Sequence, residues 1–179
     1  MNAQTETLPL SSLEYLAYLD EDGTITEEFL GKIGVYAIFD RDKILQYVGY
    51  SRDIYLSLKQ HLVRQPQNCY WIKLQTINRP SRKILETIKD AWIVENGVTP
   101  IGNSDAEIAW TEAIDAKKTM TEEEKAQYRQ TDELGQIKML KKIARRVEAE
   151  ITRQLSDRGV TMDLRFNPKL KEKGLLDLK

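Results

Sequence analysis

The sequence predicts an α+β fold: a small three-stranded antiparallel sheet with packed helices, followed by a long C-terminal helix. Three observations carry this reading. VYAIFD and ILQYVGYS (35–40 and 44–51) are rich in β-branched and aromatic residues and flank the charged turn RDK, the pattern of a β-hairpin. Two later segments repeat apolar residues at helical spacing, with the apolar run CYWIKLQTI between them. A charged C-terminal stretch then carries an apolar stripe over more than twenty residues, about six turns of helix.

Residues 10–30 read as a short helix or irregular apolar arm, a turn at DEDGT and a second short packing element. Gly34 and Gly49 flank the hairpin tyrosines and permit close backbone approach there. Asp53 is placed to cap DIYLSLKQHLVR, in which Ile54, Leu58 and Leu62 cover one sheet face. After the exit signal at Pro66, CYWIKLQTI forms the third strand, with Cys69 as a buried structural thiol. The second helix follows, its stripe drawn through Ile84, Ile88 and Ala91, and Asn96-Gly97 ends it. The resulting organisation is an N-terminal packing arm (1–30), the α+β domain (31–103), a helical extension (104–158) and an irregular C-terminal tail (159–179). The extension reads as one long helix or two in succession, striped by Leu134, Ile137, Leu140, Ala144, Val147, Ile151 and Leu155.

With 27 Lys and Arg against 28 Asp and Glu, the net charge of −1 gives no global attraction to nucleic acid. Local cations remain: Lys138, Lys141, Lys142, Arg145 and Arg146 lie beside the C-terminal stripe as candidate phosphate contacts. One cysteine and one histidine leave no material for a cysteine-based zinc site or an internal disulfide. The N-terminal residues lack a secretory pattern, and no apolar run reaches membrane length, so the expectation is a cytoplasmic or soluble organellar protein without a membrane partner.

Gly34-Val35-Tyr36 and Tyr47-Val48-Gly49 resemble the paired marks of the GIY-YIG nuclease family. His61 on the first helix, Glu86 after Ile84-Leu85, and Pro100-Ile101-Gly102-Asn103 extend the resemblance over residues 31–103. It implies a small α/β core that cleaves DNA with a divalent metal, Mg or Mn where activity is retained. In such a site Tyr36 and Tyr47 position or activate water and phosphate, Glu86 holds the cation and Asn103 supports the site. Ser57 stands where the resemblance calls for a phosphate-stabilising arginine, and a short neutral hydroxyl lacks that residue's charge and donor fork. Arg64 lies seven residues further along the helix, roughly 10 Å away, and Arg52 precedes it; either is a candidate to replace the missing cation.

The resulting expectation is a catalytically diminished GIY-YIG-like module that binds DNA or another nucleic acid through Ser57, His61, Arg64 and Asn103. The alternatives are a metal-dependent endonuclease using Tyr36, Tyr47 and Glu86, and a protein-interaction scaffold. Residues 134–155 are the expected surface for a protein partner or a second copy.

Overall fold

A computed structural model describes residues 5–179, which form two compact units divided between Thr111 and Glu112. In the first unit the hairpin predicted from the sequence is present, as β2 (Ile33–Phe39) and β3 (Leu45–Ser51). The third predicted strand is β4 (Trp71–Ile77), and a two-residue strand from the N-terminal arm, β1 (Leu16–Ala17), pairs with it. The sheet therefore has four strands in the order β1-β4-β2-β3, every pairing antiparallel. This corrects the three-stranded expectation. Leu16 and Ala17 are both exposed, so β1 lacks the inward-outward alternation that makes a strand legible, and it exists because the edge of β4 offers it a partner.

β2 is central, flanked by β3 and β4, and its residues 34–39 are all buried. Alternate side chains serve opposite faces. Val35, Ala37 and Phe39 join Leu45, Val48 and Ile77 in one apolar cluster with Leu85, Ile88 and Trp92 of α2 (Arg82–Asn96). The stripe of α2 thus runs Leu85-Ile88-Trp92, whereas Ala91 is exposed. Tyr36 and Ile38 face the other side, towards α1 (Ile54–Arg64), which buries Ile54, Leu58, His61 and Leu62. Asp53 caps α1 by accepting from the Leu56 amide; Ser81 caps α2, and Gly97 ends it in the left-handed region at φ 82°.

The arm at residues 6–11 is tied to the α2 side of the sheet mainly through its backbone. Gln75 accepts from the Leu8 amide and donates to the Glu6 carbonyl. Trp92 Nε1 donates to the Leu8 carbonyl, the Glu95 carboxylate accepts from the amides of Leu10 and Ser11, and Lys73 Nζ donates to the Leu10 carbonyl. Leu10 is the buried apolar anchor of this strap. Lys73 and Gln75, two buried polar residues of β4, are satisfied by the strap's main chain, and Lys73 also lies 4.1 Å from the centroid of the Tyr15 ring.

In the second unit, a short strand β5 (Ile114–Asp115) pairs with β6 (Leu175–Leu176). The two-helix alternative for the extension is the one adopted: α4 (Glu122–Gln130) opens with a capping box from Thr121 and Glu124, and α5 (Glu133–Asp157) is capped by Asp132. A Cβ at Gly135 would collide with the Thr131 side chain, so glycine permits the tight step between the two helices. Leu140, Ile143, Ala144, Ile151 and Leu155 are buried within this unit, where α5 packs against residues 116–119, β6 and α6 (Pro168–Lys171). Leu134 is exposed. Among the described residues, no helix is long and apolar enough to cross a membrane.

Replacing Glu95 by alanine leaves the Leu10 and Ser11 amides without their acceptor. The expected cost is about 1–3 kcal/mol, read as a lower urea midpoint, with faster hydrogen exchange at amides 8–11. Unchanged exchange there would refute the role assigned to Glu95 in holding the strap.

Candidate functional site

The α1 side of the β2–β3 hairpin carries the candidate site. Tyr36 sits opposite Gly49 in the hairpin, and Tyr47 lies two residues before Gly49 on the same face. A Cβ at position 49 would stand 2.5 Å from Tyr47 Cε1, 2.8 Å from its hydroxyl and 3.0 Å from the Tyr36 hydroxyl. Only glycine leaves the space in which the two phenols converge. Gly34 answers a different demand, since a Cβ there would strike the backbone of Gln75 and Thr76 on β4.

His61, one helical turn beyond Ser57 on α1, reaches the same point from the other side. Its Nε2 is 2.8 Å from the Tyr36 hydroxyl, and its ring centroid is 4.7 Å from that of Tyr47. Tyr47 in turn stacks on Trp110 of the short helix α3 (Glu107–Thr111), with centroids 5.4 Å apart and planes 6° from parallel. Trp110 is fully buried, and its carbonyl accepts from Arg64 Nη1 at 3.2 Å. Ser57 is half-exposed at the rim, where its hydroxyl meets that of Ser51 at 2.7 Å.

Burial dominates the electrostatics. It pushes the Tyr36 phenol far above its ordinary value, reinforced by Tyr47 and opposed by the neighbouring Ser57 hydroxyl and the Arg64 charge. Tyr47 is raised as well, first by burial and then by the Glu107 carboxylate. His61 is pushed down to about 3, chiefly by burial and then by Arg64. Both phenols and the imidazole are therefore neutral at pH 7, and the group offers hydrogen bonds without a mobile charge of its own.

Of the residues singled out from the sequence, Tyr36, Tyr47, Ser57, His61 and Arg64 meet here. Asn103 does not enter the cluster. It closes the open edge of β3, its Oδ1 accepting from the Val48 amide and its Nδ2 donating to the Val48 carbonyl, both at 2.8 Å. Glu86 is engaged on the α2 side, where it accepts from Tyr50 at 3.2 Å and from Arg82 at 2.8 Å, and Arg82 holds its pKa below the usual value. Trp110 had no sequence signal, because it lies outside the hairpin and helix patterns and touches the site only through the chain's return. In the second unit, Arg146 pairs with Glu124 and Lys141 with Glu172, whereas Lys138, Lys142 and Arg145 are exposed along one face of α5.

No family model matches the chain. Over 90 residues the chain is 32% identical to the bifunctional monothiol glutaredoxin-S16, chloroplastic, of Arabidopsis thaliana, a match covering 48% of this chain and 31% of that protein. The chain thus spans less than a third of the relative's length, and the relative's name specifies two functions while describing one.

These findings correct the nuclease expectation. The relative is named a glutaredoxin and not a nuclease, so the comparisons support neither the GIY-YIG assignment nor the nucleic-acid-binding and endonuclease roles attached to it. The divalent-metal expectation fails on the residues themselves. Glu86 is held by Tyr50 and Arg82, and among the described residues no group of three or more His, Cys, Asp or Glu side chains is assembled to hold a cation. What stands is a mixed α+β unit with a neutral phenol–imidazole cluster.

The depressed His61 pKa has a thermodynamic consequence of defined sign. Between about pH 6.5 and about 3 the unfolded chain takes up a proton that the folded chain refuses. The stability associated with neutral His61 is therefore complete above the ordinary histidine value and is lost as pH falls toward 3. Relative to His61→Gln, the parent chain should lose on the order of a few kcal/mol across that window, measured by urea unfolding of both proteins at matched pH. Parallel pH curves would overturn the assignment. Gly49→Ala is expected to cost about 1–3 kcal/mol by overpacking, read in the same assay.

Proposed function

We propose that the first unit is a ligand-binding module presenting the Tyr36 and Tyr47 hydroxyls to a phosphate-type oxyanion. The observation that supports this reading is the convergence of two neutral phenols over Gly49 beside the half-exposed Ser57 hydroxyl. Burying three polar side chains in contact is costly where apolar ones would pack as well, and such clusters are concentrated at functional sites. Neutral O–H groups are the appropriate donors for an anion, because a phenolate would repel it. Catalysis is not part of the proposal.

Carrying over the relative's named activity has no support in this chain. A monothiol reaction needs an accessible thiolate, whereas Cys69, the only cysteine, is fully buried with its thiol donating to the His61 carbonyl at 3.6 Å.

For the second unit we propose a protein partner bearing an acidic surface, bound at the exposed face of α5. Leu134, Lys138, Lys142 and Arg145 recur at helical spacing on that face, while most of the apolar stripe is covered by the unit itself. Like charge along the face disfavours pairing with a second copy.

His61 is the only histidine, so its ring resonances report on the site without ambiguity. Titration with inorganic phosphate should shift them in a saturable manner, and Tyr36→Phe and Tyr47→Phe should each weaken the response about tenfold. Absence of any shift at intact fold would overturn the oxyanion reading. Sedimentation of the full chain should show a monomer, and self-association lost on Leu134→Lys would overturn the choice of partner.

A further inference from the structure

We infer that Arg64, on the last turn of α1, is the charge-bearing group of the oxyanion site. The inference rests on the phosphate-type reading proposed above. Arg64 follows His61 by three residues, so the two side chains project from neighbouring positions on the helix. Its guanidinium is held by the Trp110 carbonyl at 3.2 Å, and the Trp110 ring stacks on Tyr47, which in turn stands 4.7 Å from His61 by ring centroids. A chain of contacts thus fixes the guanidinium relative to the phenols. A long and otherwise mobile side chain is ordered before any ligand arrives, and that lowers the entropic cost of using its charge.

The charge is also felt where it is needed. Arg64 favours the ionised form of Tyr36 and of Tyr47 and disfavours that of His61, so its field reaches all three groups of the cluster. The opposing charge at the site is the Glu107 carboxylate, which acts on Tyr47. Arg52 is exposed and precedes the helix, and Lys59 lies over the Tyr55 ring at 5.5 Å, so neither is directed into the cluster by an equivalent contact.

The test is the titration of the full chain with inorganic phosphate at constant ionic strength, followed through the His61 ring resonances. Arg64→Gln should weaken binding tenfold or more, whereas Arg52→Gln and Lys59→Gln should stay within about threefold of the parent, because the exposed Arg52 charge is screened and Lys59 is held over the Tyr55 ring. Phosphate should also shift the Arg64 Nε–Hε resonance of the parent, a readout independent of whether the variant folds. Parent-like binding by Arg64→Gln, an equal loss in either control variant, or a His61 response without an Arg64 response would overturn the role of Arg64 alone. No binding by the parent would overturn the site reading and this inference together.

Discussion

The pairing of Tyr36 with Gly49 across the hairpin is the constraint on which the site depends. A strand has a side-chain period of two, so slipping β2 by one residue would send Tyr36 to the α2 face and bring Val35 and Ala37 towards α1. The register is held from both sides. β2 pairs with β4 over its entire length, with Ile33 opposite Ile77 and Phe39 opposite Trp71, and its apolar face is locked into the cluster around Ile88 and Trp92. The register irregularity falls between Ile38, which pairs with Tyr47, and Phe39, which pairs with Leu45, so the regular ladder from Gly34 to Ile38 ends at Tyr47. Packing on one face of the sheet thereby positions the hydrogen-bonding groups on the other.

A second principle runs through the first unit: its polar side chains complete backbone hydrogen bonding where regular structure stops. Asn103 pairs with the open edge of β3 as another strand would, and Gln75, Lys73, Glu95 and Trp92 bind the strap that covers β4. These residues would look functional by their polarity alone, yet their partners are main-chain groups of the same unit. His61 differs. Its Nε2 contacts another side chain, Tyr36, and its neutral state follows from burial beside Arg64. That difference separates the cluster from the scaffold's own polar framework.

The similarity to a bifunctional glutaredoxin covers under a third of that protein, and the chemistry in its name requires a reactive thiol. Cys69 lies beneath α1, donating to the His61 carbonyl, and serves the packing of the helix that carries His61. The similarity is partial, while the groups that meet at the candidate site of this chain are phenols, an imidazole and a guanidinium.

Much of the architecture was legible in the sequence because it is encoded locally. The hairpin, the Asp53 cap, the Gly97 stop and the hydrophobic period of α1 follow from residues adjacent in the chain. No spacing in the sequence established the closeness of Tyr36, Tyr47 and His61, which were grouped only through the resemblance drawn from the paired glycine-tyrosine marks. The nuclease resemblance drawn from those same marks did not carry over to the comparisons, and Glu86 turned out to be engaged by Tyr50 and Arg82. Other features depended on contacts distant in sequence. β1 has no strand pattern of its own, Trp110 meets Tyr47 from sixty-three residues away, and the strap's amides find Glu95 more than eighty residues on. Local preference determined the hairpin, β4 and the principal helices, though not β1, because caps, turns and periodicity act over a few residues. Which polar groups are neutral, covered or brought together was decided only by the tertiary structure, because desolvation and hydrogen-bond partners are properties of the packed chain.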